Sequence, residues 1–342
     1  MNEREWLQSA NQFVNTIARG AAVFCIAALA ACGEPAQEPV ENVETAPSLI
    51  ERPTLPAIWE TSIGSGEFLD LAFVSSGGGR LYIAGLTADG DLSIYDLDGA
   101  PIAQSRDSLD VSKIAAGAPL LGPSTAIAPG LSENGDLYAL VIDLSVGGVG
   151  EILVDAGGGY TAICAGDMSD DALPMALGRS DEVLVGALRI DGDTATFERQ
   201  ESYDLDGVVT TCAWNSDQGL AAAGDRVFRI ADGAVEIALT APASPLSLEL
   251  GMTEAASVAV WTDEEGDVLV ANVAEPTPEP KRFGVAPGMS VGAPDPVAVI
   301  AIQSGRFGPD YEAGVVAATG LYADGAPRIT YVDLASLIDA PD

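Results

Sequence analysis

Apolar and polar residues alternate through the stretch LYIAGLTADGDLSIYDLDGAPIAQ, Leu81–Gln104, first along Leu81, Ile83 and Gly85 and then along Leu92 and Ile94. Two Asp-Gly turns interrupt the alternation. Period-two patterning bounded by Asp-Gly predicts short antiparallel strands joined by tight hairpins. Similar strand ends recur at Leu144, Ile190, Ile230, Val273 and Leu334; counted from Leu97 the gaps are 47, 46, 40, 43 and 61 residues. A period of roughly 40–50 residues with several strands per unit is the signature of propeller blades. The pattern therefore predicts an all-β chain forming a six-bladed β-propeller.

The predicted blades cover about 69–105, 109–155, 160–204, 209–240, 246–284 and 297–334. In the first, Asp70–Ser75, Arg80–Leu86, Asp91–Leu97 and Pro101–Ser105 read as strands. A Pro- and Gly-rich stretch, Pro276–Pro296, precedes the sixth. Only eight residues follow Leu334, too few for that blade's fourth strand. The early strand Pro56–Thr61 is expected to fill the place, closing the ring with an N-terminal strand and removing two open sheet edges.

The amino terminus reads differently. Residues 21–31, AAVFCIAALAA, are apolar but too short to span a bilayer. With Leu29-Ala30-Ala31-Cys32 directly after, the segment resembles the bacterial lipobox, whose cysteine is lipidated and becomes the mature terminus. The alternative is an ordinary signal peptide that contains a cysteine. Residues 33–52 are rich in Pro, Glu and Ala and lack apolar periodicity, as expected of a disordered tether. The expected organisation is a lipoprotein signal peptide at 1–31, the lipidated Cys32 with its acidic tether at 32–52, and the propeller at 53–342. Several acyl chains on one cysteine make a stable membrane anchor. Gly33 in place of Asp fits export to the outer membrane, so the expected location is the periplasmic face of that membrane in a Gram-negative cell envelope.

Charge narrows the function. The chain carries 51 acidic against 15 basic side chains, a formal net charge of −36, with no histidine. Its only lysines are Lys113 and Lys281. Nucleic acid is excluded as a partner on this balance, because phosphate neutralisation needs Lys and Arg. Histidine triads and histidine–metal sites are excluded outright. Cys164 and Cys212 are the cysteines left once Cys25 leaves with the signal and Cys32 is lipidated. They either pair in an oxidising periplasm or serve as two separate small buried residues.

The segment Leu92-Ser93-Ile94-Tyr95-Asp96-Leu97-Asp98-Gly99 resembles the Gly-Leu-x-Val-Tyr-Asp-Leu-x-Gly motif in the first blade of β-propeller phytases. Leu69-Asp70-Leu71-Ala72-Phe73-Val74 then stands where that family has its aspartate motif. Phe307-Gly308-Pro309-Asp310-Tyr311 followed by Gly314-Val315-Val316 is similar to the family's Gly-Pro-x-Tyr/Phe-x-x-Gly-x-x-Val segment. The resemblance implies Ca²⁺ held near the propeller axis by carboxylates, with Lys and Arg positioning substrate phosphates. On this register the candidate ion ligands are Asp70, Asp110, Asp225 and Asp295, each of which also reads as a solvated turn aspartate. The family's Val-Asp-x-Arg segment reads Leu109-Asp110-Val111-Ser112, losing the Arg; Lys113, one residue on, would face the other side of a strand. The Glu-Gly-Met segment reads Thr210-Thr211-Cys212, and a later acid is at best displaced, to Glu249. The turn acids Asp263–Asp267 match a calcium loop only loosely.

The expectation is a monomeric, phytase-like lipoprotein of the cell envelope with a degenerate catalytic set and a binding or scaffold role toward an unidentified ligand or protein. The alternatives are an active Ca²⁺-dependent phosphoric monoester hydrolase acting on phytate, and an assembly scaffold at the outer membrane. Basic residues converging on the axis would favour the hydrolase. An axis of Ala, Leu and Thr would favour the others.

If Cys32 carries the anchor, cells fed a labelled lipid precursor should mark the wild type and leave Cys32→Ala unlabelled. Equal labelling of the two would contradict the lipobox reading.

Overall fold

The computed structural model describes residues 53–338, apart from 121, 168–171, 216–217, 253–255, 276–278 and 308. The signal segment, Cys32 and the tether lie outside the described residues. Among those described, no helix is long and apolar enough to cross a membrane.

The strands run in chain order as follows. Two short ones come first, β1 (Thr54–Pro56) and β2 (Trp59–Glu60). A first meander comprises β3 (Phe68–Ser75), β4 (Leu81–Thr87), β5 (Leu92–Asp96) and β6 (Pro101–Ser105). The next comprises β7 (Lys113–Ile114), β8 (Ala118–Pro119), β9 (Thr125–Leu131), β10 (Leu137–Asp143) and β11 (Gly148–Leu153). Then come β12 (Ala162–Ala165), β13 (Leu173–Arg179), β14 (Glu182–Asp191) and β15 (Thr194–Asp204), followed by β16 (Val209–Trp214), β17 (Gln218–Ala223), β18 (Arg226–Ala231) and β19 (Ala234–Thr240). The last two groups are β20 (Ser247–Met252), β21 (Ser257–Thr262), β22 (Val268–Asn272) and β23 (Lys281–Ala286), and β24 (Val297–Ser304), β25 (Gly314–Gly320) and β26 (Thr330–Asp333) with the short helix α1 (Leu334–Ile338).

Within each group, strands pair antiparallel, mostly with their sequence neighbours; β7 and β8 each pair with β9. The hydrogen-bonded sheets number five, not the six expected from the repeat. The difference has a local cause: β6 and β11 pair in parallel over Gln104↔Gly148 and Ser105↔Val149, which fuses two meanders into one nine-stranded sheet.

The first strands of the groups form a closed ring: β3 touches β7, β7 touches β12, and contact passes on through β16, β20 and β24 back to β3. The buried side chains follow the same circuit. One cluster joins Ile83 and Tyr95 to Ala317 and Tyr331, bringing the first and last groups together. Five further clusters occupy the other junctions between consecutive groups. Sheets arranged radially around an axis, with their cores between them, make this an all-β propeller.

The radial packing explains the residue patterns. A middle strand is covered on both faces, so β4 is buried at every position and reads as the continuous run LYIAGLT. The outermost strands face water: β15 is largely exposed and polar, and β19 is largely exposed. The Asp-Gly hairpins sit where the sequence placed them. Gly90 and Gly99 have φ of 80° and 78°, and an added Cβ on Gly99 would collide with the Glu60 carbonyl.

The N-terminal segment ties distant parts together. β2 pairs antiparallel with β26 through Trp59↔Tyr331 and Glu60↔Thr330, on the outer edge of the sheet that holds the chain's last strands. β1 does something the sequence did not suggest: it adds in parallel to β23, with Leu55 opposite Val285. Around these strands, Ala57 N–H donates to Ala286 O, Ile58 N–H to Tyr331 O and Thr61 N–H to Ile329 O, at 2.8–2.9 Å. Glu60 accepts a hydrogen bond from Gly292 N–H (2.7 Å) and pairs with Arg328 (3.3 Å), whose guanidinium lies over the Tyr322 ring.

Deleting residues 53–62 removes these bonds and the buried Leu55 and Ala57. The expected cost is on the order of 5 kcal/mol, together with aggregation through the uncovered β23 and β26 edges. Denaturant unfolding and light scattering of the truncated protein test this; an unchanged unfolding midpoint in a monodisperse sample would contradict it.

Candidate functional site

The first strands of the groups surround a cavity of about 290 Å³ on the propeller axis. Most of its wall is small or apolar, including Ala115, Ala165, Thr211, Ala213, Leu250 and Val299. The charged residues on the wall are Asp70, Lys113 and Glu249. All three are half-buried, with their remaining surface turned to the cavity.

A bulge positions Asp70. The β3–β4 register shifts between Phe68 and Asp70, leaving Leu69 unpaired and 48% exposed. The extra residue re-aims the strand so that Phe68 enters the core while Asp70 reaches the axis. Its Oδ1 accepts from Leu71 N–H (2.9 Å) and its Oδ2 from Ile114 N–H (2.8 Å), which ties β3 to β7. Burial pushes its pKa up to about 6, offset in part by those two bonds and by the Lys113 charge. Glu249, on β20, is pushed well above the usual carboxylate range by burial and then by Asp70, with a backbone hydrogen bond to Ile302 as a partial offset. Two acids in a low-dielectric site resist ionising together.

Lys113 bridges three strand groups. Its Nζ donates to Thr161 O (2.6 Å), beside β12, and to Thr210 O (3.2 Å), on β16. Thr210 is itself a bulged residue, since the β16–β17 register shifts between Val209 and Thr211. The bulge frees its carbonyl from the ladder and leaves it for the ammonium. Burial lowers the Lys113 pKa, and the Asp70 charge opposes that shift.

Lys113 corrects the sequence reading, which placed it on the face away from the axis. β7 is only two residues long and begins at Lys113, so no regular pleat carries the alternation through Ser112, and both residues line the cavity. Glu249, a displaced acid on the family register, also lines the cavity. The available signal was a lone carboxylate inside the apolar run Leu248-Glu249-Leu250.

The four acids proposed as ion ligands do not come together at the axis. Asp70 is the one that lines the cavity. Asp110 is exposed, accepting from Tyr138 Oη–H at 3.0 Å while its own N–H donates to Glu151. Asp225 sits in the exposed turn between β17 and β18, where its carbonyl accepts from Ala241 N–H. Asp295 is exposed just before the cis-linked Pro296, and its N–H donates to Leu321 O. Each is held by loop geometry at its own position, which a motif register does not reveal.

Among the described residues, one group of acids is close enough to hold a metal: Asp263, Glu265 and Asp267. An arginine already takes the central place. Arg282 pairs with Asp263 (3.3 Å), Asp267 (2.8 Å) and Glu265. Asp263 Oδ1 also accepts from the N–H groups of Glu265 and Asp267, each at 3.0 Å, which shapes the turn. This loose calcium-loop match is an ion-paired hairpin turn.

Cys164 and Cys212 form a disulfide across the cavity wall, with Sγ–Sγ 2.14 Å and Cα–Cα 5.7 Å. It links β12 to β16, the two strand groups that Lys113 also joins.

No family model matches the chain, and no curated protein matches it. One similar solved structure is the β-propeller domain of Cps50 (Swd1) from Myceliophteria thermophila, 13% identical, covering 80% of this chain and 86% of that one at a TM-score of 0.47. The propeller assignment stands on the sheet topology, and the likeness says nothing of the site.

Asp70 binds its proton more tightly folded than unfolded, from an ordinary value of 3.8 to about 6. Its contribution to stability is therefore full below about pH 4 and is lost as pH rises through about 6. Two units correspond to at most about 3 kcal/mol. Asp70→Asn removes that titration, so its stability should fall less than the wild type's between pH 4.5 and 7. Chemical denaturation across that range checks this; parallel pH profiles would contradict a strained Asp70 carboxylate.

Proposed function

We propose that this chain is a cell-envelope lipoprotein whose propeller has six blades, the nine-stranded sheet counting as two, and that it binds a small ligand in the axial cavity without hydrolysing phosphate esters. The blade count is supported by the closed ring of six first strands and by the six core clusters between neighbouring groups. The phytase likeness is kept as a likeness of pattern, in which the architecture persists and the catalytic set does not.

One observation carries the functional reading: the axial wall presents a single ammonium, Lys113, already engaged by two backbone carbonyls. Phosphoryl transfer depends on several positioned cations to offset charge on the transferring group. Here the other charged groups on the wall are carboxylates, which repel phosphate. At about 290 Å³ the cavity is also at the small end for ligand sites.

The test is phosphate release from phytate across pH 5–8, with and without millimolar Ca²⁺. The full-length protein should stay at background, since each missing electrostatic group typically costs on the order of a hundredfold in rate. Robust Ca²⁺-dependent release that Asp70→Asn abolishes would overturn the reading and establish a phosphatase.

A further inference from the structure

We propose that the occupant of the axial cavity is a small organic ammonium ion, a primary amine on a short apolar stem. The inference rests on the binding reading above and adds the ligand's chemical class.

Size comes first. At about 30 Å³ per water, the cavity holds roughly ten waters, room for a small group rather than a large one. Charge comes next. With Asp70 and Glu249 both ionised, the wall carries two negative charges against the one positive charge of Lys113. These are the charged groups facing the cavity from all the strands around it, among the described residues. Charge balance then favours either a proton on one of the two carboxyls or a cation.

Hydrogen-bonding capacity points the same way. Lys113 has three donors and directs two of them to Thr161 O and Thr210 O. A carboxylate has about four acceptor positions, and Asp70 fills two with Leu71 N–H and Ile114 N–H. The wall therefore has acceptors to spare and few donors, which suits a guest rich in N–H and not an anion. A primary ammonium supplies three donors and the missing charge in one group.

The rest of the wall suits an apolar stem. Trp214 lines the cavity, with its indole packed against Gly219 where an added Cβ would overlap the ring. An aromatic residue in the lining adds apolar, polarisable surface for an organic cation's stem. Leu69 and Leu246 line the cavity and are 48% and 57% exposed, offering the stem an apolar margin next to solvent. A hard dication is less suited: it prefers six or more oxygens, and Lys113 repels it.

The binding step exchanges one proton for the ligand. The guest ammonium takes the place of the proton on the Asp70–Glu249 pair, and that proton passes to the buffer. No bond of the ligand forms or breaks.

The probe is propylammonium, with propanol and propionate as neutral and anionic matches, titrated calorimetrically into the detergent-solubilised full-length protein. Titration in two buffers of different ionisation heat counts the protons released. Propylammonium should bind better than either match, release up to one proton near neutral pH and bind more tightly as pH rises from 5 to 7. Glu249→Gln should weaken it about tenfold or more and abolish most of the proton release; Asp70→Asn should weaken it comparably, with unchanged circular dichroism confirming both folds. Propanol or propionate binding as well as the amine would overturn the ammonium assignment and leave the binding reading standing. Binding unchanged in both variants would place the amine elsewhere and overturn the assignment. No binding by any probe would overturn it and count against the binding reading too.

Discussion

A β-sheet whose two faces are both apolar needs a neighbour on each side, and this constraint governs the whole molecule. β4 is buried along its full length, and strands such as β17 and β25 are nearly so. A row of such sheets would leave one greasy face at each end. Wrapping the row around an axis lets the first group pack on the last, as Phe73 and Ile83 do with Ala317 and Tyr331. Closure of the ring is therefore a requirement of burial, and β2 contributes by covering the edge of β26.

The same closure creates the site. Six strand beginnings converge on one axis, and small side chains such as Ala115, Ala162 and Ala213 leave room between them. The groups that project into that space are only partly exposed to water. Lys113 can hold its charge there because the Thr161 and Thr210 carbonyls replace its hydration. Asp70 does the same with two backbone N–H groups, while Glu249 faces Asp70 with less compensation. The result is a small cavity in which acceptors outnumber donors, poorly matched to phosphate. The disulfide between β12 and β16 joins the same strand groups that the Lys113 ammonium spans.

Local chemistry was legible in the sequence and long-range assembly was less so. Asp-Gly turns and alternating residues place β4, β5 and β6 within a residue or so of their observed ends, because hairpins are decided by neighbouring residues. The gap at the end of the repeat pointed to a returning N-terminal strand, and Trp59–Glu60 pairs there. The parallel addition of β1 to β23 carried no such signal, since three residues show no pattern. Asp70 could be picked out by its position in a strand-like motif. The side taken by Lys113 is not legible from a period of two, because that period needs a regular pleat and a two-residue strand does not supply one. Asp110, Asp225 and Asp295 were grouped by a family pattern, whereas loops hold them apart from the cavity wall.

The central claim is that the axis holds two carboxyls whose charges are incompletely balanced, so that one of them keeps its proton near neutral pH. The infrared difference spectrum of wild type minus Glu249→Gln at pH 7 reads this directly through the C=O band of a protonated carboxyl. Such a band is expected in the ligand-free wild type at pH 7 and is expected to be lost in Glu249→Gln. A wild-type spectrum at pH 7 with only ionised carboxylate bands would contradict it.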